Sequence, residues 1–343
     1  IIAVPTPVYK NNKPDLRNLK SASQNIAKIL KKNDIVIFES TVYPGVTEEY
    51  CIPIIEKYSK FKINTDFFVG YSPERINPGD KNNQLTDIVK VTSGSNTFSL
   101  NIIDKLYKSI ITAGTKKVKS IKIAESAKVI ENTQRDINIA FMNELSIIFE
   151  KLNIDFDEIL DASRTKWNFL NFKPGLVGGH CIGVDPYYLA YKSKKVGYDP
   201  KIILSGRKIN NNVSTRIIDK LIKTMISKKI DIKKSKILFL GCSFKENVGD
   251  TRNSLTIEIA KKLSKKVFEI HLHDPLVEYN KLKSIFKFNK ILPNYKFDAV
   301  LLTVPHQKIL NYGKLRILKL VKRNGIFFDI NNKFKSPKSD FSL

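Results

Sequence analysis

The stretch from residue 120 to 152, SIKIAESAKVIENTQRDINIAFMNELSIIFEKL, contains neither glycine nor proline. Nothing in it stops a helix. Its apolar residues are spread around much of the circumference, so the spacing predicts one long helix buried on several sides. Elements on both sides of it must supply that burial. Before it, short apolar runs that end in polar turns, DIVIFES (34–40), FFVGYSPER (67–75) and IVKVTSG (88–94), alternate with the helical patterns LRNLKSASQNIAKILKK and TEEYCIPIIEKYSK. Helical patterns continue after it through DEILDASRT, PYYLAYKSKKVG and STRIIDKLIKTMISKK. A second alternating block then opens with SKILFLGCSFKENVGDTRNS and LTIEIAKKLSKK, followed by strand patterns in VFEIHLHDP, FDAVLLTVPH and GIFFDINN. This grammar predicts an α/β chain with two parallel sheets, ligands meeting each at the carboxyl ends of its strands. The expected blocks are 1–117, a helical middle block 118–232, and 233–343.

With 343 residues, 42% of them hydrophobic, the chain can bury cores for two or three domains. No run of about 18 apolar residues occurs, and the opening IIAVPTPVYK lacks the charged region and cleavage site of a secretion signal. A cytoplasmic protein with no membrane partner is expected. That opening has no initiator Met and begins on a buried-looking strand, so a missing upstream segment is also expected. Three scattered cysteines suit reduced thiols rather than a disulfide framework, and four histidines without C-x-x-C spacing argue against a metal site. The formal charge of +26 has two explanations, a polyanionic partner or a Lys/Ile/Asn-biased composition. The lysines are dispersed and lack the aromatic interleaving of a single-strand binder, so no nucleic-acid partner is expected.

The stretch PGLVGGHCIGVDPYY (174–188) places Cys181 among glycines. Glycines let a backbone approach a ligand or take positive φ, and a helix starting at Asp185-Pro186 would put a positive dipole end close to the sulfur and favour its thiolate. A small buried hydrophobe is the other reading of Cys181, and packing is the expectation for Cys51 and Cys242. Asp185 suits either an N-terminal helix cap or a carboxylate that orients water. On the long helix Lys128, Asn132 and Arg135 share one face. On a helix apolar on several sides, such a stripe suits a polar cavity in which Lys and Asn stabilise an oxyanion. Strand-end turns add Thr6, Thr41, Glu74 and Arg75, each also compatible with ordinary turn chemistry. Lys245 and Arg252 fall in the loop after a strand, where phosphate contacts are common.

VPTP, ESTVYPG, SPERINPGD, AESAKVIENTQRDINIAFMNEL, GLVGGHCIGVDPYY and FLGCSFKENVGDTRNS occur here in that order. On these motifs, to about residue 335, the chain resembles the UDP-glucose/GDP-mannose dehydrogenase family, and GGHCIGVDPYY with SPERINPGD resembles its branch acting on UDP-N-acetylhexosamines. The resemblance implies two Rossmann-like domains, for NAD and for UDP, joined by the long helix and a helical domain used for homodimerisation. The G-x-G-x-x-G loop of the first domain is absent from the sequence, so the first half of that fold is expected to be missing. By resemblance Cys181 is the nucleophile, Lys128 and Asn132 the oxyanion-stabilising pair, Asp185 the water-orienting carboxylate and Glu74 a carboxylate beside the reacting centre. Thr6, Thr41 and Arg252 match cofactor contacts. Arg75, Ile76, Arg135, Gly175, His180 and Lys245 match substrate contacts, with Arg164 and Lys166 as looser matches. One departure is Pro78, where the glucose branch carries a second Glu. The implied activity is NAD-dependent four-electron oxidation, through a thiohemiacetal and a thioester, of the C6 hydroxyl of UDP-N-acetylglucosamine or UDP-N-acetylgalactosamine, for surface polysaccharide synthesis. The alternatives are a UDP-N-acetylmannosamine or UDP-glucose dehydrogenase, or an inactive relative that only binds UDP-sugar.

Overall fold

The computed structural model describes the chain apart from residues 78, 80–82, 180–181, 279–285 and 335–338. Two compact units emerge, one of residues 1–135 and 184–204, the other of residues 136–183 and 205–343. No described helix is long and apolar enough to cross a membrane.

The first unit runs through α1 (Arg17–Ile29), β1 (Ile35–Phe38), a π-helical turn (Thr47–Cys51) continuing as α2 (Ile52–Ser59), β2 (Phe68–Tyr71), β3 (Lys90–Gly94), α3 (Thr97–Lys108) and β4 (Thr115–Lys117). The wide turn precedes Pro53, which has no N–H to donate and whose ring crowds the carbonyl four residues back. Strand order is β1-β2-β3-β4, and Ile2 joins beside β1 through a hydrogen bond from its N–H to the Ile37 carbonyl, 2.8 Å.

One feature departs from the all-parallel expectation: β2 and β3 are antiparallel, Gly70 facing Gly94 and Tyr71 facing Ser93. The connections explain it. Parallel neighbours need a crossover, usually helical. α2 lies between β1 and β2, and α3 between β3 and β4, and both of those pairs are parallel. Between β2 and β3 the only described helical element is a single turn, Leu85–Asp87, so the chain doubles back.

The stretch free of glycine and proline forms α4 (Ile121–Leu152), followed by α5 (Phe156–Ser163), α6 (Asp185–Lys195) and α7 (Lys201–Ser227). The second unit then adds β5 (Lys236–Leu240), α8 (Leu255–Leu263), β6 (Glu269–His273), β7 (Lys287–Asn289), β8 (Phe297–Leu302), α9 (Gln307–Leu310), α10 (Lys314–Leu318) and β9 (Val321–Asp329). Its sheet is parallel throughout, in the order β7-β6-β5-β8-β9. The central strands are continuous apolar runs because both faces are covered: Ile237 to Leu240 and Ala299 to Leu302 are all buried. The chain reverses its direction of travel between β5 and β8, the switch point at which such sheets bind ligands.

Within this unit a polar network joins the second half of α4 to α7. Arg207 donates to Asp136 Oδ1 at 2.6 Å, Asn210 donates to the same oxygen at 2.7 Å, and Asn143 donates to Asn210 Oδ1 at 2.9 Å. All four residues are buried. Removing one member of a buried ion pair strands the other charge, at a cost of about 3–5 kcal/mol. Arg207→Leu is therefore expected to lower the free energy of unfolding in urea by that amount, and the double variant Asp136→Leu/Arg207→Leu to recover most of it. An effect below about 1 kcal/mol for the single variant would remove this network from the stability of the unit.

Candidate active site

Two side chains one turn apart on α4, Lys128 and Asn132, are buried and meet the first residue of α6. Asn132 Nδ2 donates to Asp185 Oδ2 at 2.6 Å. Asp185 does not act as the helix cap: Val184 holds that position and no side chain caps the helix. Its carboxylate turns inward instead, with 3% of the residue exposed. Burial pushes its pKa up to about 7, and the Asn132 hydrogen bond and the nearby Lys128 charge only partly oppose that rise. Lys128 forms no ion pair among the described residues. The result is an acid that exchanges its proton near neutrality, beside an amide donor and an ammonium. Those are the parts a reaction needs to activate water and to stabilise an oxyanion.

Further along the same helix and the neighbouring turns, other expected residues are placed by local contacts. Thr6 Oγ1 donates to the Thr41 carbonyl at 2.7 Å, so these two turns adjoin. Tyr188, one turn into α6, donates to the Pro7 carbonyl at 3.1 Å and ties the first of them down. Arg75 donates to the Val89 carbonyl at 2.8 Å and pairs with Glu131 of α4 at 2.7 Å. Glu74 Oε1 accepts the N–H of Ile76 at 2.6 Å. Arg135 is half-buried. Glu125, absent from the sequence-based set, is fully buried and accepts N–H groups of Gly45 and Thr47 at 2.5 and 2.9 Å. Burial raises its pKa to about 7 against those two bonds. It fixes the turn after Thr41 and the start of the following helix.

In the second unit, Gly175 is gripped from both sides by one amide. Its N–H donates to Asn143 Oδ1 at 2.9 Å and its carbonyl accepts from Asn143 Nδ2 at 3.1 Å. The two glycines that follow are packed closely against the protein itself. A Cβ on Gly178 would lie 2.6 Å from the Asn253 carbonyl, and one on Gly179, where φ is +85°, would lie 2.7 Å from the Phe244 ring. The structure assigns Gly178 and Gly179 to close approach of the loop after β5. His180 and Cys181 come next and lie outside the described residues, as does Pro78.

A cleft of about 170 Å³ opens at the β5/β8 switch point, lined by Ser243, Phe244, Lys245, Thr303, Val304 and Asn331 among others. The loop beneath it is held by groups that sequence reasoning missed. Asp274, just after β6, accepts N–H groups of Cys242 and Ser243 at 2.7 and 3.2 Å and the buried His306 Nε2 at 2.9 Å. In a dinucleotide fold the acid after the second strand faces a ribose and the first loop's N–H groups face a pyrophosphate. Here the acid consumes those N–H groups itself, and burial, which raises its pKa, is outweighed by His306 and the backbone donors. The signal was available in HDP after the second strand of the block. Arg252 is exposed and held by Asp250 at 2.6 Å. Arg164 is tied to Asp161 and Asn171 at 2.8 and 2.9 Å, and Lys166 is exposed.

Comparison with known proteins matches three domain models of the UDP-glucose/GDP-mannose dehydrogenase family in register: the NAD binding domain at residues 1–111, the central domain at 122–212 and the UDP binding domain at 238–336. The chain is 47% identical to UDP-N-acetyl-D-glucosamine 6-dehydrogenase of Pseudomonas aeruginosa, over all of this chain and 82% of that protein. It is 48% identical to the enzyme of the same name from Salmonella typhi, over all of this chain and 81% of the relative. Among solved structures, the UDP-D-ManNAc dehydrogenase of Pyrococcus horikoshii superimposes with a TM-score of 0.87 at 27% identity, covering 99% of this chain and 78% of that one.

Asp185 makes stability depend on pH with a definite sign. A carboxyl whose pKa is raised from 3.8 to about 7 keeps its proton after the unfolded chain has lost it. Its contribution to stability therefore declines as pH rises from about 4 to 7, and the full penalty remains above that. Thermal unfolding of Asp185→Asn beside the parent chain is expected to show the variant gaining relative stability across pH 4–7, with a constant difference at higher pH. A difference that is flat across this window would contradict the burial of that charge.

Proposed function

Because this chain belongs to the UDP-glucose/GDP-mannose dehydrogenase family, and so is an NAD-dependent nucleotide-sugar dehydrogenase, we propose that it oxidises the C6 hydroxyl of a UDP-N-acetylhexosamine to the carboxylate. UDP-N-acetylglucosamine is the first choice of substrate, after the printed names of the relatives that are 47% and 48% identical. The observation that carries the mechanism is the buried set of Lys128, Asn132 and Asp185, with the Asn132–Asp185 bond at 2.6 Å.

Converting an alcohol and one water to a carboxylate removes four electrons, and bound NAD supplies the hydride acceptor in each of two successive oxidations. The adjoining turns of Thr6 and Thr41 offer neutral hydroxyl and carbonyl groups that suit the carboxamide end of that cofactor. Arg252 is a further proposed cofactor contact. The thiolate of Cys181 adds to the C6 aldehyde to give a thiohemiacetal. After the second oxidation this is a thioester, and water cleaves it to release the uronate and regenerate the thiolate. Lys128 and Asn132 stabilise the oxyanions, Asp185 takes the proton of the attacking water, and Glu74 stands beside the reacting centre. Arg75, Ile76, Arg135, Arg164, Lys166, Gly175, His180 and Lys245 are the proposed substrate contacts. The product is an activated uronic acid, the kind of donor that glycosyl transfer into an acidic surface polysaccharide consumes. A homodimer is proposed through the helical middle block, where Phe141, Ile148 and Leu152 of α4 are exposed at spacings of seven and four along one side.

The full-length protein, given NAD and UDP-N-acetylglucosamine or its galacto and manno epimers, is expected to form two NADH per uronic acid and to prefer the gluco substrate. Lys128→Met is expected to lower kcat about a hundredfold or more. One NADH per product, or undiminished turnover by Cys181→Ala, would overturn the covalent route.

A further inference from the structure

Lys90 is the first residue of β3, yet only 3% of it is exposed. A buried ammonium is costly unless it is paired. Because β3 runs antiparallel to β2, its first residue lies at the carboxyl edge of β1 and β2, where an α/β sheet meets its ligands. Two carboxylates converge on it there. Glu39, the residue after β1, places Oε1 at 3.1 Å from the ammonium, and Glu74, three residues after β2, places Oε2 at 3.7 Å.

The two acids differ in what else holds them. Glu39 Oε1 also accepts the hydroxyl of Tyr107 at 2.5 Å, and the Tyr107 ring lies 5.0 Å beneath the ammonium. Glu39, Tyr107 and Lys90 therefore form a closed set. Glu74 is bound on Oε1 by the Ile76 N–H, its side chain is 41% exposed, and its other oxygen faces Lys90. The adjacent cation, Arg75, is turned away into its pair with Glu131. Among the described residues Lys90 is thus the one cation directed at Glu74.

We propose that Lys90 is a positioning residue: anchored from below by Glu39 and Tyr107, it fixes the orientation of the partly exposed Glu74 carboxylate. The proposal rests on the reading of Glu74 as a carboxylate beside the reacting centre. Lysine suits the role because its ammonium is a compact point charge able to serve two carboxylates on different strands.

A double-mutant cycle on the full-length protein separates this role from simple structural support. Lys90→Met is expected to lower kcat about tenfold or more, as displaced catalytic groups do, with KM for NAD and for UDP-N-acetylglucosamine within about twofold of the parent. Lys90→Arg, whose larger planar group cannot occupy the same point between the two carboxylates, is expected to recover only part of kcat. In a Glu74→Gln background the further change Lys90→Met is expected to cost nothing more. If Lys90→Met folds poorly, Tyr107→Phe, which keeps the ring and removes the hydroxyl, should give a smaller loss that also vanishes in that background. Losses that multiply independently, or a drop in melting temperature with kcat unchanged, would overturn the role of Lys90 while leaving that of Glu74 intact. Full kcat in Glu74→Gln alone would overturn both.

Discussion

A carboxylate taken almost wholly out of water must find a partner or give up its charge, and the partner chosen by Asp185 sets the geometry of the first unit. Asn132 holds it at 2.6 Å from α4, so the start of α6 is fixed on that helix. One turn later on α6, Tyr188 reaches the carbonyl of Pro7, and the neighbouring Thr6 then meets the turn of Thr41. Three turns distant in sequence are thereby brought to one end of a sheet. Glu125, two turns before Asn132 on α4, does the same for Gly45 and Thr47. A single helix face thus organises several loops, each of which would otherwise pay its own ordering entropy.

Two buried acids illustrate how the count of donors decides chemistry. Asp185 has one hydrogen bond and a nearby cation, and burial wins, leaving a group that titrates near neutrality. Asp274 has backbone donors from Cys242, Ser243 and Leu276 together with His306, and these outweigh burial. The first is suited to moving protons. The second is suited to holding a loop still, and it does so beneath the cleft at the switch point. The N–H groups of Cys242 and Ser243 are thus turned to Asp274 beneath the cleft.

The element order was legible because it rests on local rules. The absence of breakers marked α4, and apolar runs closed by polar turns marked β1, β2, β3, β5, β6, β8 and β9. Lys128, Asn132 and Asp185 were legible as well, the first two by their four-residue spacing and the third by its place beside Pro186. Their burial was less so. Asp185 read equally well as a helix cap, and only its inward turn separates the two roles. Glu125 and Asn143 looked like ordinary polar positions on a helix, because their partners lie 80 and 32 residues away.

What the sequence determined by itself was the succession of strands and helices and the candidate side chains proposed for the chemistry, since period, breakers and turn residues act over a few positions. Tertiary structure alone decided the direction of β3, the partners of Asp185 and Asp274, and the steric demand at Gly178 and Gly179. Each depends on groups brought together across dozens of residues, and no local rule reports which distant atom will occupy a given neighbour's place.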